Sequence, residues 1–422
     1  MGPRAQSQQT WVRVAVGPKF NDDLLGDQQD RDTVATLYPT ICHVLDHSEL
    51  RKLFQQYDGP ANAAKKVSTS WGSVTIGLGS LALVGASLEV LLSTEGQAFL
   101  SQHPYWLPSI ALAGVLCGVL SVVFGSVGVL SGRKKRNWLH LRLMTVSLRQ
   151  FHFRSFIDFL PEIRASLQGE RAKARFQELR DRRFSEFRSR IVGHLEGAMT
   201  ELLNEEESEP QMAEAAAVTA VANDQPAIEP LFAAYRSLRF EHQIGYANFK
   251  LRDDHRIFSS APRRQAAVLE RFGFICIVLL LAIHLAVGAG ILIDKFGGGP
   301  ARGSKAAAGG APTAKPADSA TSGATPADSR LPVDALIRVL NASILWIAIA
   351  ALAGRALEQG LHPERETEHY QQYKLACKAL LKRFDESPSQ ADKVRVMADM
   401  ERLAFKEMRE FMVVNTRARF VM

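Results

Sequence analysis

Between Pro104 and Gly132 the chain carries no charged side chain. Crossing a bilayer takes roughly 20 apolar residues, so this stretch predicts a transmembrane helix. A stripe of small residues runs along it: Gly114, Gly118, Ser121, Gly125, Gly128 and Gly132, spaced alternately four and three apart. Residues at those spacings share one helix face. In lipid, close backbone approach drives helix association, and small residues permit it. The stripe therefore predicts a packing seam, against another helix of this chain or another copy of it. Arg133, Lys134, Lys135 and Arg136 follow at once, and an amphipathic helix continues to Phe159.

Three more spans follow from the same criterion. Val67–Leu88 is uncharged, with Lys65 and Lys66 before it and Glu89 after it. Glu89 is either a pathway-lining carboxylate or an interfacial one whose side chain reaches headgroup water. Phe272–Ile293 is uncharged, and Val339–Gly354 is apolar but short, with Asp334 and Arg338 four apart at its entrance. The Lys/Arg clusters flank the spans on one side, while the first loop carries neither residue. By the positive-inside rule both termini are cytoplasmic and the loop 297–330 lies outside. The reading is a multi-pass membrane protein.

The fold class predicted is an all-α membrane protein, with four transmembrane helices in two two-helix units and long cytoplasmic helices. Residues 1–59 form an N-terminal cytoplasmic segment, with a strand-like WVRVAV and one or two short helices. Residues 60–203 form the first two-span unit, 204–230 an acidic Ala-rich linker, and 231–422 the second unit. Within the first unit Pro161 restarts the helix, and Gln168–Leu203 reads as one amphipathic helix. In the second, a helix over 231–258 precedes the third span and another covers Glu364–Phe384. Ser389 with Asp392 caps the last helix, which presents Met397, Met400, Ala404, Met408 and Phe411.

The net charge of +7 sits largely beside the spans, which assigns it to topology and lipid headgroups. No nucleic-acid partner is expected. The four cysteines form no C-x-x-C pair, so neither a disulfide framework nor a zinc site is predicted. GGPARGSK looks like a phosphate-binding loop only superficially, because its Lys follows the Ser. His284 stands alone in the third span. With no Ser/His/Asp or metal-ligand constellation in view, no catalytic residue, cofactor or metal is expected.

Each unit resembles the SLATT family, the SMODS and SLOG-associating two-transmembrane effector domains. The first unit does so through Trp138 and Arg142, then Leu148, Arg149 and Phe151, although a glutamate of the family pattern is absent there. In the second, Arg239, Gln243, Tyr246 and Ala247 match before the spans, and Tyr370, Tyr373 and Ala376 after them. Glu407 and Phe411 stand where the pattern has Glu and Trp. The resemblance covers roughly Leu53–Leu203 and Leu231–Val414.

The resemblance implies a membrane effector of a bacterial conflict or anti-phage system, placed in the bacterial inner membrane. Such an effector oligomerises or opens when a sensor triggers it, and the sensor often answers a nucleotide second messenger. Its partners would be the lipid bilayer, further copies of itself as a homo-oligomer, and a separate nucleotide-sensing or phage-sensing protein. A competing reading is a non-enzymatic membrane scaffold that recruits a cytoplasmic partner through its helices, and a third is a membrane enzyme. Trp138 and Arg142, four apart, are expected to couple the helix after the second span to the membrane boundary. The alternative makes them an interfacial anchor and a solvated arginine.

Overall fold

The computed structural model describes residues 22–95, 101, 103–126, 133–193, 214–215, 217–219, 221, 226–252, 262–297 and 333–417. The strand-like segment 11–16, Gly128 and Gly132 of the seam, and the loop after 297 lie outside the described residues. So do the side chains of Arg133, Lys134, Asp334 and Arg338.

The described chain is all helix apart from turns and short connections. A 3-10 turn at Asp22–Leu24 leads into α1 (Gln28–Leu37), α2 (Cys42–Leu45) and α3 (Ser48–Glu95). Next come α4 (Trp106–Phe124), α5 (Arg133–Asp158), α6 (Leu160–Ser166) and α7 (Glu170–Gly193). After a second 3-10 turn come α8 (Glu229–Tyr235), a π-helical segment (Arg236–Glu241), α9 (His242–Leu251), α10 (Pro262–Gly297), α11 (Val333–Leu361), α12 (Pro363–Glu386) and α13 (Gln390–Arg417). The expected punctuation appears. Pro161 opens α6 at a position that needs no N–H donor, and the Ser389 Oγ accepts from the Asp392 amide at 3.2 Å to cap α13. His362 takes a left-handed conformation between α11 and α12, closing one helix while Pro363 starts the next.

Four helices, α3, α4, α10 and α11, are long and apolar enough to cross a membrane, making this a multi-pass membrane protein. Together the described residues within 76–122 and 270–355 form one compact unit, an apolar bundle. Those within 1–75, 123–269 and 356–421 form the other, a helical body. Each unit draws on both halves of the sequence.

In the bundle, no residue of α4 is buried. Leu112, Val115, Val122, Phe274, Ile277 and Leu285 are all more than half exposed, an outward face suited to lipid. Contact between its helices runs through glycines. A Cβ on Gly85 would stand 3.3 Å from the Gly114 Cα, and one on Gly118 would meet the Ala82 Cβ at 3.7 Å. On Gly354 it would strike the Phe272 ring at 3.0 Å. The Trp346 indole donates to the Ser87 hydroxyl at 2.7 Å, a polar link between α11 and α3.

The body is packed differently. One apolar cluster joins Leu24, Val34, Ile41 and Leu50 from the first helices to Phe153, Phe156, Phe176 and Phe184 of α5 and α7. It continues into Phe232, Tyr235, Phe240, Cys377, Val394, Met397 and Met400. The N-terminal segment thus docks on the later helices, bringing Asp23 fully inside. Ala217, Val221 and Ile228, within the stretch read as a linker, are also buried in this cluster. A smaller cluster holds Trp138, Leu139 and Leu143 of α5 against Met408 and Met412 of α13.

Candidate functional site

Five helical stripes of the body, with Gly26, Asp27 and Asp30 at the start of α1, converge on a cavity of about 510 Å³. Arg142, Val146 and Arg149 come from α5, at the three- and four-residue steps of one helix face. Phe54, Gln55, Asp58, Gly59 and Asn62 come from α3, Tyr370 and Tyr373 from α12, and Ala404, Glu407, Met408, Phe411 and Met412 from α13. The fifth stripe starts in the π-helical segment with Arg239 and continues through His242, Gln243, Tyr246, Phe249 and Lys250 of α9. A π segment widens the turn, and three successive residues, Leu238, Arg239 and Phe240, are buried there.

The structure thus brings nine residues of the resemblance together at one place: Arg142, Arg149, Arg239, Gln243, Tyr246, Tyr370, Tyr373, Glu407 and Phe411 all line the cavity. Trp138 does not. It is 8% exposed and meets Phe411 edge-on, with ring centroids 5.9 Å apart, while exposed Lys65 stands 5.9 Å from its ring. Trp138 is therefore a packing residue of the α5–α13 contact, and Arg142, one turn on, faces the cavity. Neither is the surface anchor or solvated arginine weighed from the sequence. Lys66 and Arg136 are exposed and Lys135 is half-buried.

Two buried ion pairs frame the cavity. Arg239 binds Glu401 in a fork, Nε to Oε1 at 2.9 Å and Nη2 to Oε2 at 2.8 Å. The Tyr235 hydroxyl donates to the same Oε1 at 2.7 Å, and the Arg239 guanidinium lies 4.6 Å from the Phe153 ring centre. Burial works against the charge of Arg239. Glu401 and the nearby phenols outweigh it and hold the guanidinium above its ordinary range. Burial, reinforced by Glu401, raises Tyr235 well above the usual phenol value. In the second pair, the Arg149 Nε lies 2.7 Å from an Asp23 carboxylate oxygen, and the guanidinium stands 5.3 Å from the Phe54 ring centre.

The third region is the wall made by Tyr246 and Tyr370. Their hydroxyl oxygens are 3.5 Å apart and their rings meet edge-on at 5.9 Å. The Lys250 ammonium lies 5.5 Å from one ring centre and 5.9 Å from the other. Burial would raise the pKa of Tyr246, but Lys250 and Arg142 outweigh it and lower the pKa below the usual phenol value. Tyr370 goes the other way, raised by burial and by its neighbour Tyr246. Tyr373 donates to the Gln243 side-chain oxygen at 3.3 Å, and the Glu407 carboxylate meets His369 at 3.3 Å.

Elsewhere the singled-out residues serve packing. Gly114, Gly118 and Gly125 face the first span, where a Cβ on Gly125 would meet the Thr75 methyl at 3.3 Å. Ser121 is half-buried. Nδ1 of His284 lies 2.7 Å from the Leu280 carbonyl oxygen of its own helix. Glu89 is half-buried. Among the described residues, no group of three or more His, Cys, Asp or Glu could hold a metal ion.

The reading of the sequence missed Glu401 and Asp23. Glu401 had a signal: it falls four residues after Met397 on the apolar stripe of α13, and an acid on such a stripe needs a buried cation. Asp23 sits in a polar stretch with nothing to mark it. Comparison with protein-family models, curated proteins and solved structures gives no match.

Proposed function

We propose that this chain is a membrane effector that permeabilises the bacterial inner membrane when triggered. It acts by rearranging or assembling its four spans and carries out no covalent chemistry. The observation that supports this reading best is the convergence on one cavity of the residues that carry the resemblance to SLATT domains, a cavity whose α3 wall belongs to the helix that continues as the first span. The bundle supports it as well. Its helices bury few side chains and touch through glycines, so changing their arrangement costs little core packing. On this reading Arg239–Glu401 and Arg149–Asp23 hold the body rigid, and homo-oligomeric contacts form on the exposed apolar faces of the bundle.

The test is expression in a bacterial host, with a potential-sensitive dye and colony counts as readouts. The expected result is loss of membrane potential and of viability once the protein is induced and triggered. An unchanged potential at confirmed membrane levels, with or without the genes that neighbour this one, would overturn the effector reading. It would leave the scaffold in its place.

A further inference from the structure

The cavity contains cations that the protein does not neutralise at close range. Four acids line it, Asp27, Asp30, Asp58 and Glu407: Glu407 meets His369 at 3.3 Å, Asp58 accepts from Asn62 at 3.1 Å and Asp30 accepts from the Asp27 amide at 3.1 Å. The acids behind the wall are taken too, Glu401 by Arg239 and Asp23 by Arg149. Arg142 and Lys250 are left, on two different helices. Among the described residues no carboxylate stands within ion-pair distance of either. Their near neighbours are the phenols of Tyr246 and Tyr370, with Glu407 and Asp58 acting on Arg142 only at longer range. A half-buried guanidinium and ammonium held apart from counter-ions pay a desolvation cost that an incoming anion would offset.

We propose that this cavity binds a small soluble organic anion, with its charged group between Arg142 and Lys250 and a flat apolar part against Tyr246, Tyr370 and Phe411. The dimensions fit: small-molecule sites occupy about 300–1,000 Å³, and this one is about 510 Å³. The surroundings also fit, since positive charge is strong enough at Tyr246 to depress its phenol despite burial. The proposal deepens the effector reading and rests on it for one consequence: the chain would take its own trigger instead of relying wholly on a separate sensor. Phe54, Gln55 and Asp58 belong to α3, and Pro60 lies inside that helix just beyond them. Proline removes a helix hydrogen bond and favours a bend there, so a ligand against this wall acts where the helix is weakest.

The test uses the full-length protein in detergent, with phenyl phosphate as the probe. Inorganic phosphate and phenol serve as its two halves, and nanodiscs of phosphatidylglycerol or phosphatidylcholine give a lipid comparison. Thermal stability and calorimetric titration are the readouts. Phenyl phosphate is expected to raise the melting temperature more than either half. Arg142→Gln with Lys250→Gln should weaken its binding at least about tenfold, equivalent to about 1.4 kcal/mol. Arg142→Lys with Lys250→Arg should restore most of it, which separates lost charge from damaged folding.

A phenyl phosphate shift no larger than that of phenol, or one equal in the Gln variant, overturns the proposal. So does stabilisation by phosphatidylglycerol alone, which would make the site a lipid headgroup pocket. Membrane potential plays no part in this experiment. Binding without depolarisation therefore keeps the site and removes the effector reading, while depolarisation without binding does the reverse.

Discussion

The two units of this protein are held together by opposite means. The body buries whole side chains, among them Phe153, Phe156, Tyr235 and Phe240 at 1% exposure or less, and two charge pairs at its centre. The bundle buries almost none, and its helices meet where side chains are missing, at Gly85, Gly114, Gly118 and Gly354. The solvents account for the contrast. In water an apolar side chain stabilises by leaving the solvent, so the body gains by gathering aromatic rings. In lipid that gain vanishes, and backbone proximity with dispersion contact takes its place. A body with a dense polar centre is costly to deform, whereas a bundle joined by glycines and one indole–hydroxyl bond has less to lose.

The largest effect should come from splitting the pair at the centre of the body. Glu401→Leu alone leaves Arg239, 3% exposed, charged without its partner, and removing one member of a buried pair costs about 3–5 kcal/mol. The melting temperature of the body should fall steeply while membrane insertion persists. Replacing both, Arg239→Met with Glu401→Leu, should recover most of the loss, because apolar substitutes of similar volume are often neutral. A double variant as unstable as the single one would show that the pair is not the organising contact.

Acid should discriminate between the units next. Burial, with Arg180 and other cations nearby, lowers the pKa of His47 to about 2, although Asp181 stands 3.3 Å away. Burial and the surrounding arginines lower His152 to about 3, with Asp23 opposing. Folded values below the ordinary 6.5 mean stability that is complete above about pH 6.5 and is lost progressively as pH falls from there toward the folded values of about 2 and about 3. Each histidine contributes about 1.4 kcal/mol per pH unit. His369 has the opposite sign: its hydrogen bond to Glu407 raises its pKa, so its smaller contribution fades as pH rises above the ordinary value. Thermal melts at pH 7.5 and 5.5 should show the body losing stability. His152→Phe, which keeps the edge-on contacts with Phe153 and Phe156, should flatten the slope. An unchanged slope would assign the acid sensitivity elsewhere.

How much of this was legible follows from the same contrast. Membrane spans declare themselves in one dimension, because an uncharged run of twenty residues needs no partner to be recognised. The seam from Gly114 to Gly125 could be read for the same reason, as could the turns at Pro161 and Ser389. Partners could not be read. Spacing says that Gly114 approaches something, and only the fold says that it is Gly85. Arg239 and Glu401 lie 162 residues apart, and Asp23 meets Arg149 across 126. Such pairings depend on how the helices dock, which no local pattern encodes. The cavity was partly legible: the short motifs named nine of its residues, while nothing in the sequence marks Gln55, Asp58 and Asn62 of the α3 wall.

The smallest effect is expected in the bundle, and it decides whether the seam joins two spans of one chain or two chains. An ideal Cβ on Gly118 stands 3.7 Å from the Ala82 Cβ, inside the roughly 3.5–4.5 Å that a disulfide requires. With Cys42, Cys117, Cys276 and Cys377 replaced by alanine, Ala82→Cys and Gly118→Cys should cross-link within one chain under mild oxidation. The product should run as a monomer. Covalent dimers in its place would mean that the seam joins two copies. Gly85→Ile added to this background places a branched side chain where even a Cβ comes within 3.3 Å of the Gly114 Cα. Overpacking of this kind costs about 1–3 kcal/mol, enough to part the spans and slow the cross-link. Val119→Ile and Val123→Ile, at positions 55% and 48% exposed, put the same branched residue away from the contact, adding one methylene each, and should leave the cross-link intact. Equal damage from the two sets would mean that added bulk on either span disturbs the bundle and that the glycines hold no particular surface.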